Sequence, residues 1–159
     1  MPDMKVFKAT WAIRLFAWAK IPLIALIRPT ILQVNSRTCV VKVPLNWLVK
    51  NHLRTMYFGA LCIGADLAGG LIIMNMIRAR KSKVTFLFKD FHADFLKRAE
   101  GATVFTCNDG EMLGALLMKA EESGEREEGT VTVTATVPDK LGEEPVAVFK
   151  LTISMKKRA

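Results

Sequence analysis

Asp66 is the one acid in a long apolar run and is flanked by Ala65, Leu67 and Ala68. Burying a carboxylate among such neighbours costs on the order of several kcal/mol unless it is hydrogen-bonded, and burial drives its pKa upward. A carboxylate kept there is either a working group or the anchor of a hydrogen bond between subunits. Gly59 precedes it by seven residues, and at ~100° per helical residue the rotation of roughly 700° sets both on nearly the same face. A helix that starts at Phe58 leaves its first amides without intrahelical acceptors, at the positive end of the helix dipole. The N–H groups of Phe58 and Gly59 are therefore suited to a group that becomes negatively charged. Gly59 also fits plain close packing, since either use excludes a side chain.

The other reactive side chains offer less. Cys62 lies one turn before Asp66, but no histidine is placed beside it by sequence, and it reads as a buried thiol rather than a nucleophile. Only His52 and His92 exist; His92 and Asp94 share a strand face, and two ligands do not make a metal site, so no metal is expected. Cys39, Cys62 and Cys107 are odd in number and widely spaced, which fits neither a disulfide framework nor a zinc pattern and points to a reducing compartment, the cytoplasm. Asn51 serves either to hold water or the Asp66 carboxylate, or to cap a loop. Gly69 and Gly70 read as packing residues.

These residues need a scaffold. A chain of 159 residues, 51% apolar with a net charge of +8, has the material for one globular domain over 1–159 and is not a disordered or low-complexity protein. Residues 4–20 read as a helix, with Phe7, Trp11, Leu15 and Trp18 on an apolar face expected to pack into the core. Pro22 and Pro29 mark a connector that closes an N-terminal segment of 1–29. The core of 30–155 begins with a long β-branched strand over 30–43, a loop over 45–55 and a helix over 58–80 that is apolar nearly all round. Strands over 84–91 and 102–107 follow, then a short helix from Glu111 to Glu122 capped by Asp109 and a solvated acidic turn through Gly129. Two alternating strands over 130–137 and 146–155 are joined by a hairpin connection over 138–145, and Lys156-Lys157-Arg158 reads as a solvated tail. This order gives an α+β layer in which an antiparallel sheet wraps a long central helix, with an extra N-terminal helix, the arrangement of a hotdog fold.

Charge is unevenly spread. Residues 1–58 carry nine basic groups against Asp3 alone, and the remainder holds 14 of each sign. A basic segment that contains tryptophans fits core packing, an acidic partner, or weak contact with an anionic membrane surface. Nucleic acid is disfavoured, because no basic recognition motif is present. Arg14, Lys20, Pro22, Arg28 and Pro29 interrupt the first apolar stretch too often for a spanning or signal segment, while Asp66 and Asn75 suit the second to burial in protein.

The stretch Asn51-His-Leu-Arg-Thr-Met-Tyr-Phe-Gly-Ala-Leu-Cys-Ile-Gly-Ala-Asp66-Leu-Ala-Gly-Gly70 resembles the signature of hotdog thioesterases of the phenylacetyl-CoA thioesterase type. It is closer still to an uncharacterised branch similar to the C-terminal domain of YiiD. In that signature an Asn stands eight residues before a glycine at the helix start and an acid seven after it; Asn51, Gly59 and Asp66 keep both spacings. Where the phenylacetyl-CoA type has His-Gly-Gly, this chain has Tyr57-Phe58-Gly59, and the YiiD-like branch also has an aromatic before the glycine. Asp94-Phe-Leu-Lys-Arg-Ala99 is similar to a strand motif of the family, with Arg98 where proline is frequent. The resemblance covers about residues 30–155.

It implies a homodimer or homotetramer that hydrolyses an acyl-CoA or related thioester. Asp66 would act as general base or nucleophile, the Gly59 amide would bind the oxyanion, and Asn51 would support the carboxylate or water. Thr55, Tyr57 and Phe58 would border the substrate. In the family the carboxylate meets the helix start of the neighbouring subunit, so each site is shared by two chains. Coenzyme A is part of the substrate, and no retained cofactor is implied. Arg78, Arg80, Lys81 and Lys83 either complement the helix dipole or receive the nucleotide phosphates of coenzyme A. The competing reading is a non-catalytic module that binds an acyl chain or acyl-CoA in the same pocket, at a membrane surface through the N-terminal helix.

Overall fold

A computed structural model describes residues 4–158; residues 1–3, Asp3 among them, and Ala159 lie outside the described residues. Strict alternation builds the centre of the sheet. In β5 (Glu127–Thr136) it buries Val131, Val133 and Ala135, and in β6 (Pro145–Lys157) it buries Ala147, Phe149, Leu151, Ile153 and Met155, all on one face. The two strands pair antiparallel with Val131 opposite Leu151 and Val133 opposite Phe149. With β1 (Thr30–Val34), β2 (Cys39–Val43), β3 (Val84–Phe95) and β4 (Thr103–Cys107) they form a six-stranded antiparallel sheet in the order β1-β2-β4-β5-β6-β3. The twelve-residue β3 is an edge, and no strand pairs along its outer side among the described residues.

The helix α3 (Phe58–Arg80) occupies the bounds that its apolar pattern predicts, and it lies across β2, β4, β5 and β6. At 23 residues it is about 34 Å long, and by length and composition alone it could cross a membrane; here its inner face is packed on protein. Close approach is set by glycine. A Cβ at Gly64 would collide with the buried ring of Phe105, and one at Gly69 would lie 3.3 Å from a methyl of Val131. A second helix, α4 (Gly110–Ser123), packs beside α3 and over β5 and β6. This is the hotdog arrangement, with a helix, α1 (Met4–Lys20), added at the N-terminus.

Several expectations are corrected. The long strand over 30–43 is a hairpin of β1 and β2, because the Asn35 side-chain oxygen accepts the N–H groups of Arg37 and Thr38, both at 2.8 Å, and turns the chain. The connector between Pro22 and Pro29 contains a helix, α2 (Pro22–Leu26), with proline at its first position, where the missing N–H has no cost. β3 continues to Phe95 past a bulge between Phe88 and Asp90. Asp109 precedes α4 but does not cap it; its carboxylate accepts the Thr132 N–H at 2.6 Å and ties the helix start to β5. Glu127 to Gly129 belong to β5, not to a solvated turn, and Lys156 and Lys157 belong to β6, not to a tail. Between β5 and β6 the hairpin connection includes a single helical turn, α5 (Pro138–Leu141).

The largest correction concerns α1. Thr10, Ile13 and Ala17 face the core, while Phe7, Trp11, Leu15 and Trp18 face solvent. The helix is apolar on both sides, and the inner side is the one made of smaller residues, which lets it settle onto β1.

Because Phe105 is fully buried and cannot retreat, Gly64→Ala is expected to destabilise the fold by about 1–3 kcal/mol. A chemical-denaturation midpoint measured beside the wild type checks this; an unchanged midpoint would show that α3 is not pressed onto the sheet.

Candidate active site

The start of α3 is fixed by the loop before it. The Tyr57 N–H donates to the Val49 carbonyl at 2.8 Å and the Met56 N–H to the Ala99 carbonyl at 2.9 Å, so the Asp94–Ala99 segment braces this loop. Asn51 organises its interior. The side-chain oxygen of Asn51 accepts from the N–H groups of Leu53 at 2.9 Å and Thr55 at 3.1 Å, and its Nδ2 donates to Thr55 Oγ1 at 2.9 Å. Thr55 is buried beneath that contact. Asn51 and Thr55 thus hold the loop, and neither is hydrogen-bonded to Asp66 among the described residues.

Tyr57, in extended conformation, is the residue from which the helix begins, and its carbonyl accepts from Ala60 at 2.9 Å and Leu61 at 3.1 Å. The N–H groups of Phe58 and Gly59, ahead of the first internal bonds, have no acceptor among the described residues. They open beside exposed aromatic rings. Tyr57 and Phe58 lie 4.7 Å apart between ring centroids, Phe58 meets Phe95 of β3 edge to face at 6.3 Å, and the Tyr57 ring occupies the space a Gly59 side chain would need.

Asp66 lies about 10 Å further along the axis, at ~1.5 Å per residue. It belongs to a stripe of half-buried residues, Gly59, Cys62, Asp66, Gly70 and Met74, that turns away from β2, β4, β5 and β6 and, at Gly70, meets β3. It borders a cavity of about 230 Å³ whose other walls are Ile13 and Phe16 of α1, Ile21 and Ile24 at α2, and Phe86, Leu87 and Phe88 of β3. The walls are apolar. Asp66 has no hydrogen-bond or ion-pair partner among the described residues, and burial alone pushes its carboxyl above the ordinary range. One chain therefore holds open amides at one end of β3 and a carboxylate with no partner among the described residues toward the other, without bringing them together.

The remaining candidates have structural uses. Arg80 pairs with Glu121 at 3.1 Å, and Arg78 lies over the Phe16 ring, holding α1 against the end of α3. His92 and Asp94 pair with each other at 3.2 Å on the exposed face of β3. Cys39 and Cys107 are direct cross-strand partners and remain free thiols, with pKa values pushed up by burial to about 12 and about 11. Burial also raises Cys62, so no thiolate is poised for attack. The cavity walls escape sequence reading, because Ile13, Phe16, Ile24 and Phe86 carry no chemical signal and meet Asp66 only through the packing of α1, α2 and β3.

The fold defines a hotdog-fold protein. The chain belongs to the DUF4442 family, a domain of unknown function, whose profile matches residues 9–156. No curated protein matches it in sequence. Among solved structures it is similar to a Pseudomonas aeruginosa protein of unknown function described as a probable thioesterase, at 21% identity and a TM-score of 0.78, covering 94% of this chain and 96% of that one. It is similar to a Chlorobaculum tepidum protein of unknown function at 14% identity and a TM-score of 0.81, over 96% and 97% of the two chains. A variant of a thioesterase enzyme from Staphylococcus aureus matches at 17% identity and a TM-score of 0.61, over 85% and 98%. At these identities the likeness is one of fold.

Thiol burial has a direct readout. In native protein at pH 8, iodoacetamide is expected to leave Cys39 and Cys107 unmodified while both react once the chain is unfolded, as read by mass spectrometry.

Proposed function

We propose that this protein is a thioesterase that hydrolyses an acyl-CoA or related thioester in a site shared by two subunits. The single observation that carries this reading is the Asp66 carboxylate, without a partner, in an apolar cavity beside a free edge strand. Such a carboxylate is expensive to maintain for structure alone and has the raised basicity that general-base chemistry uses.

The geometry of β3 supports sharing. Phe86 to Phe88, near one end, wall the Asp66 cavity, and Phe95, at the other end, touches Phe58 at the helix start. Antiparallel pairing of two β3 edges about a twofold axis would carry the helix start of one subunit toward the Asp66 cavity of the other. Leu87, Phe91 and Phe95, exposed along β3, would be covered. In that arrangement the amides of Phe58 and Gly59 receive the thioester oxygen as it becomes an oxyanion. Asp66 takes a proton from water as the water oxygen bonds to the carbonyl carbon; the carbon–sulfur bond then breaks, and the thiolate leaves and is protonated. Asp66 attacking the carbonyl directly is the variant of the same chemistry. Coenzyme A enters as part of the substrate. The Tyr57-Phe58-Gly59 order favours the YiiD-like branch of the superfamily, and the three free thiols fit a reducing cytoplasm.

A second reading, a non-catalytic acyl-binding protein, is favoured by one observation: the Tyr57 ring crowds Gly59 at the amide end. Turnover separates the two.

Thiol release should be measured across acyl-CoA chain lengths. Asp66→Asn is expected to lower kcat by about 10²–10⁴-fold with the oligomer intact, since the amide keeps the shape and loses the base. As the base must be ionised, kcat/KM of the wild type should fall as pH falls through a value above the ordinary carboxylate pKa of about 3.9. Full activity in Asp66→Asn would place the chemistry elsewhere, and binding without turnover would select the second reading. Light scattering should return a multiple of the 17.7 kDa chain mass; the monomer mass would exclude a shared site.

A further inference from the structure

The outer face of α1 is apolar, aromatic and unpartnered, although the helix itself is firmly seated. Thr10 Oγ1 accepts the Ile31 N–H at 3.0 Å, and Arg14 donates to the Pro29 carbonyl at 3.0 Å and to Thr30 Oγ1 at 3.1 Å. On the far side Phe7, Trp11, Leu15 and Trp18 follow at spacings of four, four and three, and Trp11, Leu15 and Trp18 are 58%, 74% and 69% exposed. Trp47, the third tryptophan of the chain, is 81% exposed in the loop after β2. That every tryptophan faces solvent is unusual, because an indole is large and mostly buried when a core is available.

The α1 residues among these are parts of one surface. Trp11, Leu15 and Trp18 join Leu26 of α2 and Leu48, next to Trp47, in a groove of about 500 Å³ whose charged members are Arg14 and Arg28. Lys8 and Lys20 are exposed on the same helix. From Met4 to Ala65 the chain has no acid at all, so the elements that form this groove are uniformly basic.

We infer that the outer face of α1 and α2 docks onto an anionic lipid bilayer, with Trp11, Leu15 and Trp18 in the headgroup region and Lys8 and Arg28 facing lipid phosphates. Indoles favour that depth because one edge is apolar and the N–H is polar, and basic side chains around them add attraction to anionic headgroups. A second copy fits worse, since a twofold contact would set this basic face against itself. The inner side of α1, through Ile13 and Phe16, walls the Asp66 cavity. Docking therefore places that cavity about one helix diameter, ~10 Å, from the lipid.

The test uses the full chain with vesicles of phosphatidylcholine, with and without phosphatidylglycerol. The protein is expected to sediment with the anionic vesicles only, with tryptophan emission shifted to the blue, and to be released by molar salt. Two double variants, Trp11→Ser/Trp18→Ser and Lys8→Glu/Arg28→Glu, should each bind at least roughly tenfold more weakly with an unchanged unfolding midpoint. If the first misfolds, the charge reversal decides by itself. Absence of binding to either vesicle, equal binding to both, or binding unchanged in the charge-reversed variant would overturn the inference. A variant that instead lowers the light-scattering mass would assign this face to a contact between subunits and overturn it as well.

Discussion

The close approach of α3 to the sheet is the contact on which the rest depends. Gly64 under Phe105 and Gly69 over Val131 let the helix sink until its inner face is sealed, and Ala65, Ala68, Ile72 and Ile73 are lost to solvent. A helix of 3.6 residues per turn then has a fixed opposite flank. That flank carries Asp66, away from the strands that α3 lies across. The carboxylate is left to whatever covers the flank, and within one chain the cover is the apolar side of α1, α2 and β3.

This division explains the unfinished parts of the surface. A long edge strand with exposed apolar side chains is a liability unless it is paired, and β3 exposes Phe91 and Phe95 on one face and Leu87 on the other. The helix start likewise presents two open amides among exposed rings. The proposed pairing at β3 would answer both conditions at once. The outer face of α1 is a separate matter, since its aromatic and basic character lies on the other side of the helix that walls the cavity.

Much of this was legible in the amino-acid sequence, where period and position carry information. α3 has the bounds its apolar run implies, and β5 and β6 announce themselves by alternating threonine with valine and by the apolar set from Ala147 to Met155. Asp66 is visible as the lone acid among apolar neighbours, and its lack of a partner agrees with that isolation. The hairpin at Asn35 was not legible, because β-branched residues continue on both sides and the turn rests on one side-chain oxygen. Nor was the orientation of α1: with apolar residues all round, spacing singles out the stripe of large rings, and packing selects the smaller one. Asn51 shows the limit of a motif, since its spacing points toward catalysis and its hydrogen bonds point into its own loop.

On the proposed function, Asp66 keeps an unpartnered carboxylate of raised basicity in the assembled protein. Its titration is observable directly, through the side-chain carboxyl carbon signal in carbon-13 spectra of the assembled protein, assigned by its loss in Asp66→Asn. A titration midpoint above the ordinary aspartate value of about 3.9 is the result this account predicts. A midpoint at or below that value would show a carboxylate held by a partner, and would contradict it.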